Sequence, residues 1–161
     1  MPHRTAIFAL VVAILLSVLP AHAQEDAFFR IDALNAGLGD PPEEVDRRSP
    51  RATVETMLRA AAEGDWNRAA HVLDLGALSP AEQRERGALL AAQLHTILER
   101  RVVFDWSILI TRPDALQVTG GQQAAQAGEP RRSILLRDLN LDPVPAEIRL
   151  DRLKPPNGDP V

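Results

Sequence analysis

The sequence predicts an α+β fold, with a helical hairpin and a third, longer helix packed on a small antiparallel sheet of about three strands. Three observations point there. Apolar side chains between residues 49 and 100 recur at helical spacing and are bracketed by capping residues. From Val102 onward the period changes to two. Beyond residue 110, groups of Pro, Gly, Asn and Asp separate short apolar runs, as turns separate strands.

The chain opens with a cleavable export signal over residues 1–23. Arg4 supplies the positive start, residues 6–19 the apolar stretch, and Ala21-His22-Ala23 the small-x-small cleavage pattern, so the mature chain is expected to begin at Gln24. A spanning helix needs roughly 20 apolar residues, and Pro20 interrupts this run before that length. No membrane span is expected after cleavage. Residues 24–48 read as a polar flexible leader: Phe28, Phe29, Ile31 and Leu34 form a short apolar patch, and Gly37, Gly39, Pro41 and Pro42 then break regular structure. That patch is expected to pack on the domain or to meet a partner.

At Ser49-Pro50 the pattern turns helical. Ser49 suits the N-cap and Pro50 the first helical position, and Val54, Met57, Leu58 and Ala61 make one apolar face. Gly64 stops this helix, since glycine readily adopts the left-handed conformation just past a helix end. Asp65 then caps a second helix with Trp66, Ala69, Ala70 and Leu73 on its inner side. The third helix starts in a capping box, Ser79-Pro80-Ala81-Glu82, and is expected to run to about Arg100 with Leu90, Leu94, Ile97 and Leu98 facing the core. Arg84, Glu85, Arg86, Glu99 and Arg100 stay in water.

Val102, Phe104, Trp106 and Ile108 alternate with Val103, Asp105, Ser107 and Leu109, the pattern of a strand. Residues 113–130 read as a loop. Two further strands are expected over 133–139 and 147–153, joined by a turn at Asp142, Pro143 and Pro145. The α+β domain thus spans 49–154, and residues 155–161 form a Pro/Gly-rich tail.

Bulk composition narrows the function classes. Removing 23 residues from 161 leaves about 138, enough for one domain with a modest core. At 45% hydrophobic and 25% charged the chain is ordinary for a globular protein. A net charge of −4 gives no general attraction for nucleic acid or anionic lipid, and 4% aromatic residues leave little for base stacking. The absence of cysteine removes disulfides, thiol catalysis, sulfur-ligated metal and a lipid-modified cysteine anchor.

Candidate chemical groups each read as structural. His71 and His95 lie on helices without the two-histidine spacing that holds a metal, so a solvent-facing or capping role is expected for both. Glu43 and Glu44 sit in a solvated Pro-rich stretch. Asp105 is an exposed charge on its strand, or a pocket residue if that face is concave. Gly120-Gly121 lacks the strand-to-helix setting of a phosphate cradle. Ser49, Ser79, Ser107 and Ser133 have no glycine-framed elbow. The pairs Arg100-Arg101 and Arg131-Arg132 are too small to mark a nucleic-acid surface. Trp66 and Trp106 read as core anchors. No catalytic, cofactor or metal residue is assigned.

Two blocks carry a resemblance. The first is Ser49-Pro50-Arg51-Ala52-Thr53-Val54, followed by Gly64-Asp65-Trp66 and by residues 68–75; the second runs over residues 86–94 and 97–100. Their order, with residues 147–153 and 157–161 after them, resembles the exported N-terminal domain that precedes the membrane part of some bacterial small-conductance mechanosensitive (MscS-type) channels. The resemblance implies a non-catalytic periplasmic accessory domain, a fragment or a free-standing relative, with channel subunits or a periplasmic protein as partner. No position matches a pore helix, so the chain is not expected to conduct ions alone. The first block also resembles the opening helices of cone-shaped domains of the nuclear-transport-factor-2-like type. That alternative implies an exported small-molecule-binding or enzymatic domain, its cavity lined by Trp66 or Trp106 with Asp105 or His95 inside.

Overall fold

The computed structural model describes residues 27–115, 131–140 and 145–161. The expected export signal, most of the expected loop over 113–130, Gly120-Gly121 and the turn residues Asp142 and Pro143 lie outside the described residues. Chain order is β1 (Phe29–Arg30), α1 (Pro50–Ala62), α2 (Trp66–Ala70), α3 (Pro80–Arg101), β2 (Ser133–Leu139), β3 (Ala146–Asp151) and β4 (Leu153–Lys154). The class is α+β, as expected.

Local capping chemistry sets the helix ends. Ser49 is extended at the N-cap of α1, and its Oγ accepts from the Ala52 amide at 3.2 Å. Gly64 follows α1 at φ +71°, the left-handed region. The Asp65 carboxylate accepts from the Arg68 amide at 3.0 Å and starts α2. α2 ends sooner than its apolar pattern implied. The amides of His71, Val72 and Leu73 bond three residues back, to the carbonyls of Arg68, Ala69 and Ala70, which tightens the chain into a 3₁₀-like turn. At α3 the Glu82 carboxylate accepts from the Ser79 amide at 2.9 Å, while Ser79 Oγ accepts from the Glu82 amide at 3.4 Å.

The helices meet through small side chains. Met57, Ala60, Ala69, Ala70, Ala91 and Leu98 form the buried cluster, with Leu38, Trp66, Leu94 and Ile148 packed around it. At Gly87 an added Cβ would stand 3.3 Å from the Ala70 Cβ, so alanine and glycine let α2 and α3 approach closely. This shifts the faces from those expected. α1 buries Val54, Thr56, Met57 and Ala60. α3 buries Gln83, Gly87, Ala91 and Leu98, whereas Ile97 is exposed.

The strand expected over 102–109 is absent. Asp105 instead bends the chain: its carboxylate accepts from the Ser107 amide at 2.9 Å, and the Ile108 amide donates to the Asp105 carbonyl at 3.2 Å. An aspartate two residues before a serine offers the backbone a turn, and the turn wins over the strand ladder. Val103 is 93% exposed, while Leu109, expected on the same face as Val103, is buried.

The strands form two separate pairs. β2 and β3 make an antiparallel hairpin, Ser133 opposite Asp151 and Leu139 opposite Ala146, with an irregularity between Leu135 and Arg137. β1 pairs in parallel with β4, Phe29 opposite Leu153. That second pair corrects the reading of residues 24–48 as a leader. The described part, 27–48, is built into the domain. Phe29 and Ile31 donate to the carbonyls of Arg152 and Lys154, and Asn35 and Gly37 are buried. The apolar patch therefore docks on its own domain, with the Lys154 ammonium 4.9 Å from the Phe28 ring centre. The tail folds back likewise: Leu153 and Val161 exchange two backbone hydrogen bonds, at 2.7 and 2.8 Å. Among the described residues no helix is long and apolar enough to cross a membrane.

Candidate functional site

A cleft of about 130 Å³ opens where the start of α1, the turn after α2, and the strands β2, β3 and β4 meet. Six arginines line it (Arg47, Arg48, Arg131, Arg132, Arg149 and Arg152), against the two carboxylates Asp74 and Asp151. The whole chain carries −4, so positive charge is concentrated in this one opening.

Each wall is fixed locally. Thr56 on α1 holds the residue before Arg47, its Oγ1 donating to the Asp46 carbonyl at 3.0 Å and accepting from the Asp46 amide at 3.2 Å. Arg47 then reaches inward, where its Nη1 donates to the His71 carbonyl at 2.9 Å. His71 caps the C-terminus of α2, where helix carbonyls lack internal partners and favour a cation. Arg47 is half-buried, and burial lowers its pKa from the usual arginine value; the group still carries its proton. It forms no ion pair among the described residues. With one bond to a carbonyl, this half-buried cation keeps further donors available to an anion.

The opposite wall comes from the hairpin. Ser133 Oγ donates to the Asp151 carboxylate at 2.5 Å and accepts from Arg149 Nε at 2.9 Å, while another Arg149 nitrogen pairs with Glu147. Arg152 Nη1 donates to the Ala27 carbonyl at 3.3 Å, but its buried Nε has no hydrogen-bond partner among the described residues. The carboxylates of the cleft are already engaged, Asp151 by Ser133 and Asp74 by the Gly76 amide at 2.9 Å. At the rim, Arg48 binds the Asp46 carboxylate through two nitrogens at 2.8 and 3.1 Å and holds that carboxyl below its ordinary pKa.

His71 is the one imidazole in the cleft lining, and it is 7% exposed. Its capping position was expected; its burial was not. Burial, and then the nearby Arg47 charge, lower its pKa below 6.5, against a smaller opposing pull from Asp65. The folded state thus favours the neutral ring, and its contribution to stability is complete above the unfolded value near 6.5. As pH falls below 6.5 toward the lowered folded value, that contribution is lost. Urea unfolding at pH 7.5 and 5.5 is expected to show lower stability at 5.5. His71→Gln should flatten the difference; an unchanged slope in the variant would assign it to another group.

The other residues singled out from sequence lie elsewhere. His95 tilts against Trp66, ring centres 5.6 Å apart, with its Nδ1 3.7 Å from Glu99, an acidic neighbour one turn along the same helix. Trp66 packs half-buried against the core, as expected. Trp106, expected inside, is 40% exposed, and the Arg51 guanidinium lies 5.3 Å from its ring centre. Asp105 is an exposed turn residue. None of these four lines this cleft. Ser49 and Ser133 do line it, and the pair Arg131-Arg132 contributes to it. Arg47, Arg149 and Arg152 escaped sequence reading. A signal was present: five arginines fall between residues 131 and 152 of an acidic chain. Among the described residues no group of three or more His, Asp or Glu side chains could hold a metal ion. No family model, curated protein or solved structure matches the chain, so the site rests on its geometry alone.

Proposed function

We propose that this chain is a non-catalytic accessory domain, exported to the periplasm, that works by holding a partner. This is the role implied by its resemblance to the N-terminal domain of MscS-type channels. The observation that carries the reading is the arginine-lined cleft. Guanidinium groups stay protonated at any working pH, so they anchor negative charge and do not shuttle protons. The helix cap and the strand pairing that hold these arginines are rigid elements, which suits recognition by a preformed surface. Export is supported by the charged, apolar and small-x-small sequence of residues 1–23.

The test uses the full gene expressed in a Gram-negative host. A photo-crosslinking residue is placed at the exposed cleft residue Arg132 or, as control, at exposed Leu89 on α3, outside the cleft. The expected result is a periplasmic protein beginning at Gln24 that forms discrete adducts from position 132 and not from 89. Cytoplasmic retention of the uncleaved chain would refute export, and equal adducts from both positions would refute recognition through the cleft.

A further inference from the structure

We infer that the cleft is a phosphate-binding site, taking a compact dianionic phosphate group, either free or carried on a small ester or a lipid. The inference rests on the reading of the cleft as the recognition surface and names its ligand. Two half-buried arginines, Arg47 and Arg152, line the cleft with donors to spare. Arg47 spends one bond on the His71 carbonyl and forms no ion pair among the described residues, and Arg152 Nε has no acceptor among them. The two carboxylates of the lining bond elsewhere, Asp151 to the Ser133 hydroxyl and Asp74 to the Gly76 amide, and among the described residues neither forms an ion pair with Arg47 or Arg152. An oxyanion would satisfy both arginines at once.

Phosphate fits better than carboxylate. Guanidinium donors arriving from different sides are met most fully by an anion whose oxygens point in several directions: phosphate presents three or more in a tetrahedral array, a carboxylate two in one plane. About 130 Å³ leaves room for a phosphate group with waters beside it.

Thermal unfolding and isothermal titration of the purified mature protein test this, at fixed ionic strength with chloride as the reference anion. Inorganic phosphate at 10 mM is expected to raise the Tm by about 4 °C. Arg47→Met and, separately, Arg152→Met should each lose most of that rise and weaken the titrated affinity by about tenfold or more. A general salt effect would act equally on wild type and variants, and an equal rise in all three overturns the inference. Should Arg47→Met not fold, Arg152→Met alone decides. Further arms with glycerol phosphate and with phosphatidic acid vesicles, against phosphatidylcholine, separate the ester and lipid sources from free phosphate. No response to any of the three phosphate forms also overturns the inference. Crosslinking from position 132 without any phosphate response would leave the cleft as a partner surface and reject only its ligand. A phosphate response without crosslinks would do the reverse.

Discussion

Gln83→Leu is expected to destabilise the protein by about 3 kcal/mol or more, read as a lowered urea midpoint at unchanged slope. Gln83 is 4% exposed and closes three hydrogen bonds inside the fold. Its Oε1 accepts from the Gly37 amide at 2.7 Å, and its Nε2 donates to the carbonyls of Leu75 and Leu78, both at 3.0 Å. Leucine fills a similar volume but leaves those three backbone groups in place without partners. An unpartnered buried group costs about 1–3 kcal/mol, against a total stability of about 5–15 kcal/mol for a domain. The loop has little room to move and compensate: an added Cβ at Gly37 would stand 2.1 Å from the Pro80 carbonyl oxygen. A loss below about 1 kcal/mol would show that water reaches the three groups in solution.

Asn35→Ala should cost about 2–4 kcal/mol by the same measurement. Asn35 is 2% exposed, at φ +51°, where asparagine is tolerated and alanine is strained. Its Nδ2 donates to the Leu73 carbonyl at 2.7 Å, and its Oδ1 accepts from the Leu75 amide at 3.1 Å. Asn35→Gly removes both bonds but relieves the backbone, so it is expected to be milder than alanine by about 1 kcal/mol. Asn35 and Gln83 grip the same residue, Leu75, one through its amide and the other through its carbonyl. The double variant should therefore lose less than the sum of the two single losses. Strict additivity would mean that the two contacts act independently.

Both residues explain why part of the fold was hidden in the sequence. An asparagine among Gly and Pro reads as a solvated turn, and a glutamine in Glu-Gln-Arg-Glu-Arg reads as the wet face of a helix. Each is instead a buried connector, because the loop around Gly37 brings backbone groups into the interior and those groups require partners. Trp106 failed in the opposite direction. Its apolar position pointed inward, yet the Asp105 turn carried it to the surface, where it meets Arg51.

The sequence by itself determined the three helices, their starts and the glycine after α1. Those features depend on partners within a turn of one another: Ser49 with Ala52, Asp65 with Arg68, Ser79 with Glu82. Only the tertiary structure decided the parallel pairing of β1 with β4, the burial of Asn35 and Gln83, and the gathering of arginines into one cleft. Contacts that define these lie far apart in the chain: 24 residues between Arg47 and His71, 46 between Gly37 and Gln83, and 125 between Ala27 and Arg152 beside the β1–β4 pair. Local preference carries no record of such distant partners. Which arginine is left without a counter-charge is settled only when the walls close around it.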